Sequence, residues 1–598
     1  MKLKARAYNP RVRLQILAAC FAVFALLLVV RVAWMQLAHP DFYQQQGNAR
    51  FLRELPIATS RGMIVDRNGE PLAVSTPVES VWANPKELLQ APERMPELAK
   101  ALGIPRDVLT QRIAAKAKKE FVYLRRHINP DDAQAVVALK IPGVYSSREF
   151  RRFYPHGEVM AHVLGFTNVD DLGQEGLELA FNDWLTGKPG SQKIIRDGSG
   201  HIVEKVDLIR EAQPGKDLSL SIDRRIQYLA YRELKSALIN AQARSGSAVV
   251  IDIKTGEILA MVNQPSYNPN SRASSSPYLH RNRAVTDVIE PGSVIKSITV
   301  AAALENGVDP NIRIDTNPGI MTLDKYSIRD TTNHGVVSLE GLLQMSSNIG
   351  AAKLAANMSN AHLYDVLHRF GYGQTTNSGF PGESAGVLSP PRNWGPVEKA
   401  TISYGYGLSV TPLQIAQAYA TLANHGRMMT PTFVKVDQQK PGTQVMDPAI
   451  ADEVLAMLES VTNPGGTAQR AAITGYRVGG KTGTSRKFSA GGYSKRHISL
   501  FAGVVPLTDP KFAMVVVINE PAGHDYYGGL VSAPVFHNVM EGALRLMDVP
   551  PDNVAAWYKI KKPAQAATVV PAPIAALAPS STDEKILPAD AIVPGAQP

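Results

Sequence analysis

Cysteine occurs once, at position 20, so no disulfide can close within the chain and the fold must rest on packing and hydrogen bonding. Excess charge is scarce as well. The formal net charge is +10, but Lys2, Lys4, Arg6, Arg11 and Arg13 supply half of it before the first acidic residue, and the remainder is too thin for a nucleic-acid surface. Long apolar runs are nearly missing. Only Leu14 to Leu37 is long enough to cross a bilayer, with Gln15, Arg31 and Gln36 near its ends, where polar heads reach the interface. The basic residues before it are expected to stay in the cytoplasm, which puts everything after about residue 40 on the exported side.

Metal-ligand patterns are equally thin. His156 and His162 flank Glu158, but a metalloprotease helix needs adjacent His and Glu with a second His four residues after the first, so these histidines are read as structural. No metal or cofactor is expected. Leu17-Ala18-Ala19-Cys20 resembles a lipoprotein cleavage box. The apolar run that should precede the cysteine mostly follows it, from Phe21 to Val30, so Cys20 is assigned to the membrane helix.

What is present reads as a folded protein of two or three domains, since 44% hydrophobic and 19% charged residues are ordinary globular values for 598 residues. From Leu37 to about Leu55 the pattern is that of a helical stalk. SRGMIVDRNGEPLAVS then reads as a hairpin turning at Asn68-Gly69. Pro85 to Leu139 reads as several short helices, with starts at Pro105-Arg106-Asp107 and Asn129-Pro130-Asp131, and a strand-rich segment runs to Lys205. A second domain opens near Leu218 with an amphipathic helix, RRIQYLAYRELKSALINA, and a hairpin, SGSAVVIDI and EILAMVN, turning at Lys254-Thr255-Gly256. HISLFAGVVP and KFAMVVVINEP read as antiparallel neighbours in a sheet covered by helices. From about Pro563 the chain is rich in Pro, Ala and Ser and is expected to be disordered.

The chemistry centres on EPGSVIK, Glu290 to Lys296. Pro291-Gly292 ends the preceding segment, so a helix is predicted to start at Ser293 and to stop at Asn306-Gly307. Lys296 lies on the same face as Ser293, a candidate base beside a nucleophile, and Ile295 and Ile298 should desolvate its amine toward the neutral form. Alone this spacing is common. Downstream, however, come Ser346-Ser347-Asn348, at a junction between two helices, and Lys481-Thr482-Gly483-Thr484, in the order known for penicillin-binding proteins and class A β-lactamases. Ser346 could relay a proton, Asn348 could hold a substrate amide, and Lys481 is expected as a cation facing the cleft with Thr482 and Thr484 as hydroxyl partners. Gly479, Gly480 and Gly483 should leave a bare strand for an extended peptide, and the N–H groups of Ser293 and Thr484 could form an oxyanion hole. Two decoys are set aside: Lys254-Thr255-Gly256 as a polar turn, and Ser266-Tyr267-Asn268 as a loop. Each residue alone has an ordinary reading, with Ser346 and Asn348 as caps and Lys481 as a solvated strand charge.

With these residues in view, the chain resembles class B penicillin-binding proteins of the division-specific group. RGMIVDRNGEPLAVS, RRFYPHGEVMAHVLGF, IDIKTGEILAMVNQPSYNPN, SSNIG, GFPGE, YGYGLSVTPLQIAQAYA and VGGKTGTS all carry the likeness, which extends to about Asn553. The resemblance implies an α+β multidomain fold: a cytoplasmic segment (1–13), a transmembrane helix (14–37), a pedestal domain (38–216), a transpeptidase domain (217–553) and a disordered tail (554–598). It implies a septal D,D-transpeptidase that takes D-Ala-D-Ala stem peptides through a Ser293 acyl-enzyme and is acylated there by β-lactams. It also implies partners among division proteins, including a glycan polymerase of the SEDS family, and it sets Tyr404, Tyr406, Tyr526 and Tyr527 at the acyl pocket. Ser485 stands where the family often has Ala. The competing readings are an elongation transpeptidase with the same motifs, a β-lactamase or carboxypeptidase that admits water, and a non-catalytic scaffold.

Overall fold

The computed structural model describes residues 10–38, 52–196, 202–271, 276–438, 441–489 and 492–555. The first helix, α1 (Pro10–Ala33), continues as a π-turn over Trp34–Ala38, and the helical run to Leu37 is apolar and long enough to span a bilayer. Most of the expected stalk and the whole Pro/Ala-rich tail lie outside the described residues. The end of the stalk segment is not helical. Leu52–Ile57 is a strand, β1, because it is claimed by a partner nearly 140 residues away: it pairs antiparallel with a later strand from Leu52↔Ile195 to Ile57↔Gly190.

The Asn68-Gly69 hairpin forms as expected between β2 (Ile64–Val65) and β3 (Pro71–Ala83), with Gly69 at φ +87. Asp66 organises the turn, its Oδ1 accepting the N–H of Asn68 at 2.8 Å and of Glu70 at 2.9 Å. The segment expected to be helical contains short helices from Pro85 to Ala138, the last two starting where Pro105-Arg106 and Asn129-Pro130 place them. One strand was not anticipated there, β4 (Val122–Ile128), and together with β5 (Val144–Phe153), which follows the segment, it flanks β3. The β-branched and aromatic content of VYLRRHI and the length of β3, which offers both edges, override the helical reading. Strands β6 (Gly190–Arg196) and β7 (Ile202–Arg210) complete a three-stranded sheet with β1, as the strand-rich reading anticipated.

Among the described residues the apolar side chains gather into two main cores and a small third cluster. The smaller core gathers Val81, Leu98, Leu109, Ile113, Leu124 and Val136. The large one runs through the C-terminal half, yet it also takes in Ile64, Leu72, Tyr154, Met160, Leu164 and Leu177. Strand β8 (Leu218–Ser219) shows why, since it pairs parallel with β2 through Ile64↔Leu218 and so threads the N-terminal hairpin into the later domain's core. Helix α2 (Arg224–Asn240) is capped by Asp223 and buries Ile226, Ala230, Leu234 and Leu238. Against it lies a five-stranded antiparallel sheet. In spatial order its strands are β10 (Ile258–Gln264), β9 (Ser245–Asp252), β13 (Phe512–Asn519), β12 (Gly492–Val505) and β11 (Gly479–Ser489). β11 stands at the edge. Helices α6 (Pro412–Ala423) and α7 (Ala533–Leu546) also pack on the sheet, while α3 (Lys296–Glu305), α4 (Leu339–Met345) and α5 (Asn348–Ala356) pack among other helices.

A charged knot lies in the core of the N-terminal half. Glu178 is fully buried and accepts Arg61 Nε at 2.6 Å on one oxygen and Arg152 Nε at 2.6 Å on the other, while Arg61 Nη2 donates to the Glu178 carbonyl at 2.7 Å. Removing the carboxylate alone strands two buried guanidiniums. Glu178→Ala is therefore expected to cost about 3–5 kcal/mol, whereas replacing all three side chains by well-packed apolar residues should cost far less. Thermal unfolding of the detergent-solubilised chain measures the difference, and equal melting temperatures for wild type and Glu178→Ala would contradict it.

Candidate active site

The catalytic turn is shaped by glycine. Gly292 adopts φ +56, its N–H donates to Gly405 O at 3.0 Å, and a Cβ on Gly405 (φ +93) would lie 2.0 Å from Gly292 O. No other residue fits at 405. The turn is tighter than the sequence suggests: Gly292–Ile295 is a 3-10 segment and the α-helix begins at Lys296, three residues later than predicted. It ends at Asn306-Gly307 as expected, with Gly307 at φ +86. Every residue from Lys296 to Leu304 is buried, and the hydroxyls on this stretch are satisfied, Ser297 Oγ by Val294 O at 2.9 Å and Thr299 Oγ1 by Ser403 O at 2.8 Å.

Lys296 carries the organisation of the site. Its amine donates to Ser346 O at 2.6 Å and to Asn348 Oδ1 at 2.8 Å and lies 3.2 Å from Ser346 Oγ. Among the described residues no hydrogen bond joins it to Ser293, and its bonds run across to the serine triplet. The same burial that was expected from Ile295 and Ile298 holds, and both flanking side chains are fully buried. Burial first, and the nearby Lys481 ammonium second, push the Lys296 amine well below its ordinary range, with Asp330 opposing.

Ser346-Ser347-Asn348 forms the helix-helix junction foreseen. Ser338 caps α4, Ser346 ends it in the left-handed conformation (φ 63, ψ 44), and Ser347 caps α5 by accepting Gly350 N–H at 2.9 Å. Asn348 departs from expectation. Its amide is engaged at both ends, with Oδ1 on Lys296 and Nδ2 donating to Arg329 O at 2.8 Å, so it fixes Lys296 and keeps one Nδ2 N–H and one Oδ1 lone pair beyond these two bonds.

Lys481 also departs. It is fully buried, its amine donates to Thr482 O at 3.3 Å and Oγ1 at 3.4 Å, and it is absent from the walls of the cleft. Burial brings its pKa down to about 7, so it is neither a solvated strand charge nor a cation projecting at a ligand. The glycines around it are tight spots. A Cβ on Gly480 would lie 2.6 Å from Phe501 Cζ, on Gly479 2.9 Å from Leu507 Cδ2, and on Gly483 2.9 Å from Pro291 O. They let β11 press on β12 and on the catalytic turn. Thr482 Oγ1 shares a hydrogen bond with Thr467 Oγ1 at 2.9 Å, and Thr484 Oγ1 accepts Gly528 N–H at 3.1 Å.

These segments enclose a cleft of about 790 Å3 walled by Ser293, Ser346, Asn348, Thr482, Thr484, Tyr406, Tyr526 and Tyr527. Three of the four expected tyrosines thus border it. Tyr404 does not, and instead packs on the small cluster of Ile328, Ile349, Ala352 and Ala400, where burial raises its pKa to about 12. Tyr526 stacks on Tyr527 at 4.5 Å and on His497 at 4.1 Å between ring centroids. Sequence reasoning missed His497, Arg486, Arg329 and Asp330, which also line the cleft. His497 and Arg486 are paired across β11 and β12, a register that a motif search cannot see.

The set-aside motifs are structural. Lys254 pairs with Asp509 at 2.7 Å and Thr255 Oγ1 donates to Asp252 at 3.0 Å at the hairpin turn, while Ser266 Oγ donates to Glu158 O at 2.8 Å. His162 is buried, bonds Leu279 O through Nε2 at 2.8 Å, and is held at a pKa of about 4 by desolvation. Among the described residues no group of three or more His, Cys, Asp or Glu side chains could hold a metal ion.

A buried lysine beside a serine triplet, a half-buried serine that lines the cleft from a tight turn, and a sheet edge are what a serine acyl-transferase requires. Comparison with known proteins agrees. Residues 246–541 match the penicillin binding protein transpeptidase domain and residues 56–220 the penicillin-binding protein dimerisation domain. The chain is 45% identical to peptidoglycan D,D-transpeptidase FtsI of Escherichia coli strain K12 over 92% of its own length and 94% of that protein's. Among solved structures it matches the apo TP domain of Burkholderia pseudomallei penicillin-binding protein 3, with 42% identity, a TM-score of 0.52, 56% of this chain and 97% of that one covered. It also matches a peptidoglycan synthetase of Bifidobacterium adolescentis at 26% identity, with a TM-score of 0.66, over 84% of this chain and 97% of that one. With a dimerisation domain ahead of a transpeptidase domain and such identity along nearly its whole length, the chain belongs to the class B penicillin-binding proteins.

Proposed function

We propose that this protein is the D,D-transpeptidase of septal peptidoglycan synthesis, cross-linking stem peptides through an acyl-enzyme on Ser293. The observation that carries the reading is the bonding of Lys296. A neutral amine has two N–H donors and one lone pair. The two donors are spent on Ser346 O and Asn348 Oδ1, at 2.6 and 2.8 Å, which leaves the lone pair as an acceptor beside Ser346 Oγ at 3.2 Å. In this reading the Ser293 hydroxyl gives its proton to the Lys296 amine as its oxygen attacks the carbonyl of the penultimate D-Ala. The N–H groups of Ser293 and Thr484 receive the oxyanion. As the C–N bond breaks, Ser346 Oγ passes the proton to the departing D-Ala amine, and an amine of a neighbouring strand later takes the acyl group by the reverse path. β-Lactams acylate the same oxygen. An extended peptide pairs along the edge of β11, with Tyr406, Tyr526 and Tyr527 around its end.

Helix α1 anchors the chain in the cytoplasmic membrane, and we take residues 1–13 as cytoplasmic, 38–216 as the pedestal and 217–553 as the transpeptidase on the exported side. The pedestal is the surface we assign to division partners, a SEDS-family glycan polymerase among them.

A fluorescent penicillin should label the wild-type chain but not Ser293→Ala, with mass spectrometry placing the adduct on the Ser293 peptide. An adduct surviving for minutes or longer supports a transpeptidase, while rapid turnover would make it a β-lactamase. Cells relying on Ser293→Ala should grow as filaments with label-free septa, and normal septation would instead favour a scaffold.

Lys481→Met should separate stability from activity. Between pH 7 and its ordinary pKa of 10.5 the unfolded chain binds a proton at Lys481 that the folded chain lacks, so the wild type gains stability as pH rises through that window and is penalised fully below it. Without that burden the variant should melt a few degrees higher at pH 6 while acylating about a hundredfold more slowly. A lower melting temperature would contradict this.

Gly405→Ala should drive the catalytic turn off position. A displacement of about 1 Å is enough for a loss on the order of a hundredfold in acylation rate, and a wild-type rate constant would count against the turn's role.

A further inference from the structure

We propose that Asp330 is a positioning residue for acyl transfer, its carboxylate gripping the Ser346-Ser347-Asn348 turn from outside and, through that turn, setting the amine of Lys296. The inference rests on the acyl-transfer reading above. Asp330 follows the strand Tyr326–Arg329 on a segment that walls the cleft. One carboxylate oxygen, Oδ1, accepts the N–H of Asn348 at 2.5 Å and of Ile349 at 3.1 Å, and the other, Oδ2, accepts Ser347 Oγ–H at 2.6 Å. The neighbouring Arg329 carbonyl takes Asn348 Nδ2 at 2.8 Å, so the Arg329-Asp330 pair makes three hydrogen bonds to the triplet and a fourth to Ile349 just after it.

This exceeds what capping needs. Ser347 already caps α5 through Gly350 N–H at 2.9 Å, and a carboxylate at the same helix start adds charge-dipole stabilisation from a different part of the chain. What does need holding is Ser346, a non-glycine residue at φ 63, a conformation that costs about 1–2 kcal/mol unless its surroundings impose it. Its carbonyl is the shortest acceptor of Lys296, and Asn348 Oδ1 is the next. The Asn348 amide is oriented by its bond to Arg329 O, and the Ser346 carbonyl belongs to the turn that Asp330 grips through Ser347 Oγ and the N–H groups of Asn348 and Ile349. If the grip is released, the turn relaxes and the two acceptors leave the amine.

The carboxylate also acts through its charge. Two charged groups bear on the Lys296 amine, Lys481 from β11 and Asp330 from beyond the cleft wall, and they pull in opposite directions. Asp330 favours the protonated amine, the form Lys296 takes on when Ser293 attacks.

The test is the acylation rate constant of the full chain in detergent with a fluorescent penicillin, measured across pH for wild type, Asp330→Ala and Asp330→Asn. Asp330→Asn keeps an oxygen for the two backbone N–H groups but not the charge. It should fold, retain most of the optimal rate, and show the acid limb of its profile displaced to lower pH, because an amine without the neighbouring anion releases its proton more readily. Asp330→Ala should acylate at least about tenfold more slowly. A cap that served stability alone would lower the melting temperature and leave the pH profile in place. An unmoved acid limb in Asp330→Asn overturns the assignment, as does an Asp330→Ala rate within twofold of wild type. Should Asp330→Ala not fold, the Asp330→Asn profile decides alone. If the wild type takes no label on Ser293, the transpeptidase reading falls and this assignment with it, whereas normal wild-type labelling with unaltered variants removes only the role of Asp330.

Discussion

The site depends on one buried amine. Lys296 lies in the first turn of a helix with no solvent-facing side in its first nine residues, so its nitrogen can find partners only inside the protein. The partners it finds, Ser346 O and Asn348 Oδ1, belong to a turn between two other helices. That geometry ties the nucleophile's helix to the opposite wall of the cleft. It also fixes the chemistry, since an amine deprived of water and set near a second amine favours its neutral, proton-accepting form.

Close backbone approach supplies the rest. The catalytic turn is pinned between Gly405, whose missing Cβ makes room for Gly292 O, and Gly483, whose missing Cβ makes room for Pro291 O. A side chain at either position would push the turn away from the sheet edge. The edge position of β11 leaves one side of the strand without a strand neighbour. Native sheets usually cover or blunt such an edge, and here the cleft and its tyrosines lie beside it.

Much of this was legible in the chain. The order of Ser293, Ser346 and Lys481, the Asn68-Gly69 and Lys254-Thr255-Gly256 turns, and the neighbours β12 and β13 are all local or order-based signals, and they appear where the sequence puts them. What could not be read was set by distant partners. β4 and β5 are strands because β3 offers two edges, and on β11 Gly480 lets Phe501 close over the face opposite the fully buried Lys481. Tyr404 and Tyr406 are two residues apart, yet one packs inward and the other walls the cleft. Nothing in SSN reveals that Arg329, nineteen residues earlier, takes one N–H of the Asn348 amide. The N-terminal hairpin was read as part of a separate pedestal, yet it shares a core with the sheet through β2 and β8. Parallel pairing across more than 150 residues leaves no trace in local periodicity.

Two amines without a buried carboxylate partner are an expensive arrangement, and their nearness makes the cost functional. Lys481 disfavours a proton on Lys296, adding to the effect of burial. A proton that reaches Lys296 from the serine is therefore held weakly and is readily surrendered to a leaving amine. Were Lys296 paired with an acid at contact distance, as buried lysines usually are, it would keep its proton and could not act as a base. Asp330 acts on it without a direct hydrogen bond, spending its oxygens on Ser347, Asn348 and Ile349. That is near enough to moderate the repulsion from Lys481 and too indirect to lock the charge in place. Acyl transfer in both directions requires a base that can also be an acid, and an amine balanced between a like charge and an offset opposite charge meets that requirement.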